Sequence, residues 1–272
     1  MKDAEHNLIR YIFSGKILPE REAVDFTLDG TSPIKIQTGI PEAGPEFSSE
    51  YSVWIMQSQV QVILEVGAPQ NDVLSLKNSV EEIVRMEVDL LGYLNCCAYD
   101  VEITSVVEPN GKMHVFSTDF PGIRTDSEIA NVVGIAGLFV LVHNHVYLRR
   151  SLSDLREAIK SPRDTGFYAY RAIESIKQAF VPYHLAGENH KQIREKEDMA
   201  WEIMRTNLCV DKTWIRYLKD FSGPQRHGKP LLMTLEQRIE AINRARKVIE
   251  RYIYFLQLGC RPLSFDEFDV LS

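Results

Sequence analysis

The 272-residue sequence predicts an α+β protein: an N-terminal, mostly antiparallel sheet with one long packed helix, then a C-terminal all-α helical bundle. Runs that alternate apolar and polar residues, the period of a half-buried strand, are confined to the first 118 residues. One long stretch with helical spacing, 72–94, interrupts them. From residue 164 onward apolar residues recur three and four apart almost throughout, the spacing of an amphipathic helix. These patterns divide the chain into a sheet-plus-helix domain (1–125), a helical connector (126–163) and a helical bundle with an acidic tail (164–272).

Residues 8–13 form an apolar strand rich in aromatic and β-branched side chains, closed by Ser14-Gly15. Residues 24–28 alternate, Asp29-Gly30 supplies a turn signal, and 34–37 alternate again. The Pro, Gly and Ser content of 41–50 reads as a loop. Residues 51–66 read as one long strand with a bulge near Gln57-Ser58-Gln59. Val53 and Ile55 hold one parity there, and Val60, Val62 and Leu64 the other. Asn71 or Asp72 caps the helix over 72–94, with Val73, Leu76, Val80, Ile83, Val84 and Leu91 on one face and Gly92 at its end. Strands over 99–107 and 113–117 flank Glu108-Pro109-Asn110-Gly111, a hairpin signal.

Residues 126–142, capped by Asp126 or Ser127, are apolar nearly all round, as a buried helix between the halves is. A second helical pattern over 153–159 stops near Pro162. Asp164 or Thr165 caps a helix carrying Tyr168, Ala169, Ala172, Ile173, Ile176 and Phe180. A polar loop over 183–191 precedes a helix over 196–208, and Asp211 caps a short helix with Trp214, Ile215 and Leu218. Phe221 to Lys229 is a loop by composition, with Gly223, Pro224 and Gly228 as breakers. Thr234 caps the last helix, whose apolar stripe is Ile239, Ile242, Ile249, Ile253 and Leu256.

Hydrophobic (44%) and charged (25%) fractions are those of a globular chain. The longest apolar run, Val132 to Val142, falls short of the roughly 20 residues that span a bilayer, so a cytoplasmic protein with no membrane partner is expected. Cys96, Cys97, Cys209 and Cys260 form no CxxC pair, and His143, His145, His184 and His190 lack ligand spacing, so no metal or other cofactor is expected. Glycine-rich phosphate loops and GxSxG nucleophile elbows are missing too. The net charge of -7 conceals a split. Residues 1–148 hold 9 Lys+Arg against 21 Asp+Glu, and residues 149–261 hold 22 against 14. A basic half points to RNA or a protein as partner, or to two halves that face each other, or to a solvated basic face.

The candidate site is Arg226-His227. An imidazole titrating near neutrality can move the proton of an RNA 2′-hydroxyl, and a guanidinium can hold the phosphate. Against this stand structural roles: His227 as a helix cap, Arg226 paired to Asp220 or Glu174, and Gly228 supplying a positive φ. Arg171 and Glu174, three apart on one helix face, are supporting residues: they orient this segment or pair with each other. Arg238, Arg244, Lys247 and Arg251 on the last helix are candidate nucleic-acid contacts, or a solvated face.

A helical bundle with Arg226-His227-Gly228 just before its last long helix, and Arg171-Ala172-Ile173-Glu174 on its first, resembles the HEPN superfamily over roughly residues 150–258. The resemblance implies a prokaryotic defence or toxin setting, a homodimer, and in active members metal-independent RNA cleavage by an Arg and a His with four to six residues between them. Here Arg226 is adjacent to His227, and the next Arg upstream, Arg216, is separated from it by ten residues. The expected function is therefore a non-enzymatic interaction or sensing protein with a degenerate HEPN-like domain. The competing reading is a metal-independent endoribonuclease with His227 as acid/base and Arg226 on phosphate.

Overall fold

The computed structural model describes residues 8–20, 24–35, 46–70, 72–116, 128–182, 190–229 and 233–272. Residues 36–37, 41–45 and 183–189 and the capping candidates Asn71, Asp126 and Ser127 lie outside them. The chain folds as two compact units, 1–118 and 119–272.

The first unit is an antiparallel six-stranded sheet in the order β2-β3-β4-β1-β5-β6. Its strands are β1 (Ile9–Leu18), β2 (Phe26–Lys35), β3 (Glu46–Met56), β4 (Gln59–Val66), β5 (Asp100–Val107) and β6 (Met113–Val115). One helix, α1 (Val73–Asn95), joins β4 to β5. Alternate strand residues, Tyr11, Phe13, Val53, Ile55, Val62, Leu64, Val101 and Ile103, share a core with Leu76, Val80, Ile83, Val84 and Val88 of α1. The Asp72 carboxylate accepts from Ser75 N–H at 3.0 Å, meeting one orphan donor of the first turn. The helix runs past Gly92 and ends at Cys96, in the left-handed region.

Three expectations are corrected in this unit. Ser14-Gly15 does not end β1: the register against β5 shifts there, and a Cβ at Gly15 would lie 2.3 Å from the Glu102 carbonyl oxygen. The glycine serves a close backbone approach at a bulge. Asp29-Gly30 does not turn but pairs with Ser52 and Tyr51 inside β2, an edge strand that tolerates Pro33. The strand over 51–66 is two strands, and the first begins at Glu46, inside the segment expected as a loop. Gln57 (φ 51°) and Ser58 (φ 62°) make a two-residue turn, so Val53 faces Val62 and Ile55 faces Val60. Tertiary hydrogen bonds hold these non-glycine residues at positive φ. Ser58 Oγ accepts from Val24 N–H at 3.1 Å, Ser58 N–H donates to Val24 O at 3.0 Å, and Gln57 N–H donates to Asp25 Oδ1 at 2.7 Å.

The described residues of the second unit form α2 (Glu128–Val133), α3 (Ile135–Asn144), α4 (Val146–Lys160), α5 (Thr165–Lys177), a 3-10 turn (Gln178–Phe180), α6 (His190–Leu208), α7 (Lys212–Arg226) and α8 (Leu235–Gln257). With the sheet of the first unit, this makes the protein α+β. The segment expected as a connector belongs to this unit, because Ile129, Leu148 and Ala158 pack into one core with Ile173, Ile176, Ile242 and Ile249. The single buried helix expected over 126–142 is broken by Gly134 at φ 74°. One face of α2–α3 is in solvent, with Phe139 71% and Ile135 68% exposed, while Leu138, Leu141 and Val142 pack inward.

Two helix ends matter for the site. The segment expected as a loop from Phe221 is helical to Arg226, with Pro224 in the last turn of α7. The turn closes as a Schellman motif: Lys229 N–H donates to Pro224 O at 3.0 Å and Gly228 N–H to Gln225 O at 3.1 Å, with Gly228 at φ 68°. His227 is the C-cap. At the other end, Thr234 and Gln237 form a reciprocal capping box that starts α8. The acidic tail packs back on the unit: Leu263 is buried, and Leu271 exchanges backbone hydrogen bonds with Cys209 and Asp211.

Candidate functional site

Arg226 and the supporting pair Arg171/Glu174 come together, though Arg171 and Glu174 take separate partners. Arg171 on α5 reaches Asp154 on α4, with Nε and Nη2 at 2.8 and 2.5 Å from Oδ1. Ser175 Oγ donates to the other carboxylate oxygen at 3.0 Å. The Asp154 hydrogen bond, working against desolvation, holds the Arg171 pKa above its ordinary value. The Arg171 guanidinium also lies over Tyr168 (4.8 Å) and Phe167 (5.3 Å). Glu174, one turn along α5, forms an ion pair with Arg226. Arg226 in turn sits over Tyr170 at 5.3 Å and Phe167 at 6.0 Å. Burial raises the Tyr170 pKa, and the nearby Arg226 charge opposes that rise.

What brings the end of α7 onto the start of α5 is a local shortage of caps. Asp164 makes no side-chain cap to α5. Gln225 takes that role: its Oε1 accepts from Phe167 N–H at 2.7 Å and its Nε2 donates to the Arg163 carbonyl. Gly166 permits the contact, since a Cβ there would lie 2.7 Å from Phe221 Cβ. Arg226 follows Gln225 directly and is delivered to Glu174. His227 is exposed, and its side chain has no hydrogen-bond partner among the described residues.

The candidate nucleic-acid contacts of α8 do not form a stripe. Arg238 is 6% exposed; its Nε donates to Thr165 Oγ1 at 2.9 Å and its Nη2 to Ile159 O at 3.4 Å, at the C-terminal end of α4. Burial pushes its pKa down to about 10. Arg244 is stacked on Trp214 and Tyr217, at 4.5 Å from each ring, and is bonded to Glu240. Arg251 lies over Phe268 and donates to Asp269 O at 2.8 Å, fastening the tail. Lys247 is the exposed one of the four, with Glu250 at 3.3 Å.

Residues not singled out from the sequence complete the site. An open cleft of about 260 Å³ is lined by Tyr147 and Arg150 from α4, by Arg171, Glu174, Ser175 and Lys177 from α5, and by Gln178 and Glu197. Asp154 shares the buried face of α4 with Leu148, Ser151 and Ala158, so a carboxylate at core spacing was the available signal. Lys177 likewise falls one turn after Ile173 on the buried stripe of α5. Among the described residues, no group of three or more His, Cys, Asp or Glu is placed to hold a metal ion.

Comparison with protein families follows the same division. Residues 11–116 match the N-terminal domain, and residues 136–257 the C-terminal domain, of a domain of unknown function, DUF8168. The chain carries the two DUF8168 domains in order. No curated protein and no solved structure matches it. The DUF8168 C-terminal match spans α3 to α8, and so includes Asp154, Arg171, Glu174, Lys177 and Arg226.

Proposed function

We propose that the protein is a non-enzymatic binding or sensing protein whose helical unit carries a degenerate HEPN-like site. One observation supports this reading above the others. Arg226 is already ion-paired to Glu174 and stacked on aromatic rings, while His227 beside it is exposed and oriented by no described side chain. Cleavage of an RNA strand by these two residues needs an imidazole fixed toward the 2′-hydroxyl and a cation free to stabilise charge on the phosphate. An Arg neutralised in advance and an untethered His favour recognition over chemistry. The basic half of the chain is the surface for RNA or a protein partner, and the acidic first unit is the part that reports or receives the signal.

The test is incubation of the purified full chain, in excess, with single-stranded RNA in EDTA. Intact RNA is the expected result. The endoribonuclease reading keeps one point in its favour, the accessibility of His227 next to Arg226. Cleavage that His227→Ala abolishes without altering the circular dichroism spectrum would establish it instead.

A further inference from the structure

Lys177 is 4% exposed, yet it lines the open cleft of the helical unit. Its Nζ makes no hydrogen bond among the described residues. Its contacts are Glu197 Oε1 at 3.6 Å, beyond hydrogen-bonding distance, and the Trp201 ring at 5.8 Å. An ammonium carries three donors; although the residue is buried, this nitrogen is not among the buried polar atoms that lack a partner, so its free donors face the cleft. Arg150 lines the same cleft from α4, is exposed, and has no partner among the described residues. Arg171 completes the set, held in place by Asp154. Of the carboxylates nearby, Asp154 and Glu174 are each bound to an arginine, whereas Glu197 is half exposed and held by no hydrogen bond. An incoming anion can displace it.

We propose that this cleft binds the phosphate group of a small molecule. This rests on the binding reading above and names the ligand class of the cleft. A tetrahedral phosphate offers acceptor oxygens in several directions, as the free guanidinium of Arg150, the ammonium of Lys177 and the edge of Arg171 not bonded to Asp154 require; a planar carboxylate offers two. The volume of about 260 Å³ holds roughly a dozen non-hydrogen atoms, a sugar-phosphate size.

The experiment is isothermal titration of the full chain with inorganic phosphate and with glycerol 3-phosphate, at ionic strength matched with sodium chloride. Both probes are expected to bind. Arg150→Ala removes an exposed side chain with no described partner and leaves the fold intact; it is expected to weaken binding roughly ten-fold, the loss of one charge-assisted contact. Lys177→Met is expected to abolish binding, and Lys219→Ala, at an exposed position of α7, to leave it unchanged. No heat above the chloride control, or equal affinity in wild type and Arg150→Ala, overturns the phosphate site and leaves the non-enzymatic reading standing. Binding confined to a single-stranded oligoribonucleotide overturns it as well, in favour of a strand-binding surface. RNA cleavage in EDTA is a separate outcome and strikes the non-enzymatic reading alone.

Discussion

Gln225 Oε1 accepts a hydrogen bond from the backbone N–H of Phe167 at 2.7 Å, so the last turn of α7 caps the first turn of α5 across 58 positions of sequence. The same amide donates to the Arg163 carbonyl, closing both sides of the junction. Gln225→Ala leaves a first-turn N–H and a carbonyl without their partner, and is expected to destabilise the chain by about 1–2 kcal/mol in urea unfolding. Gln225→Glu keeps the acceptor and loses the donor, so it should cost less. Equal losses in the two variants would mean that the cap contributes nothing.

The two arginine pairs of the site should behave differently. Asp154 is 6% exposed and receives both Arg171 and Ser175. Asp154→Ala removes the acceptor of both; the Arg171 side chain, 43% exposed, can rehydrate, so a loss of about 1–2 kcal/mol is expected. Arg226 and Glu174 have side chains 40% and 25% exposed, where water screens the pair. A double-mutant cycle on them should give a coupling of about 1 kcal/mol or less. A larger coupling there than at Asp154 would reverse the ranking drawn from burial.

Arg238 and Lys247 occupy one helix and do opposite work. Arg238→Ala opens a cavity and removes the donors to Thr165 Oγ1 and Ile159 O, so about 2–4 kcal/mol of stability should be lost. Lys247→Ala should change stability by no more than about 0.5 kcal/mol. If the unit binds RNA, Lys247→Ala should lower affinity and flatten its salt dependence, whereas folded Arg238→Ala should bind as wild type does. Paired unfolding and filter-binding measurements separate these outcomes.

Features set by contacts within a few residues were legible in the sequence. Asp72, Asp211 and Thr234 each cap the helix they precede, because the acceptor and the orphan N–H lie two or three residues apart. The Asn110-Gly111 hairpin is of the same kind. The change of parity between Ile55 and Val60 was visible too, but a bulge and a two-residue turn both produce it. Choosing the turn takes the bonds from Ser58 and Gln57 to Val24 and Asp25, 34 and 32 positions away. Arg238 was misplaced on a solvent face although it falls one turn before Ile242 on the apolar stripe; its partners on Thr165 and Ile159 lie 73 and 79 residues away. The site follows the same rule. Arg171, Glu174 and Arg226 were nameable as chemistry, and Glu174 was one of the two acids offered to Arg226; the pairing of Arg171 with Asp154, 17 positions away, was not legible.

Tyr252 supplies a pH dependence that can be measured. It is buried in α8, with its ring near Phe180 and Phe255. Burial pushes its phenol up to about 12, and an unfolded tyrosine titrates near 10. Between those values the folded chain holds a proton that the unfolded chain has released. The stability linked to Tyr252 is therefore fully present below about pH 10 and is lost as pH rises through 12, at about 1.4 kcal/mol per pH unit. Tyr170 and Tyr217, also raised by burial, act in the same direction. Arg238, with its folded pKa pushed down to about 10, opposes them over this window, because there the unfolded chain keeps the proton. Tyr252→Phe removes one contribution and leaves the others. Urea unfolding at pH 9 and pH 11 should show the variant losing about 1 kcal/mol less than wild type over that interval. An identical loss in both proteins would mean that the Tyr252 phenol ionises as readily in the folded chain as in the unfolded one.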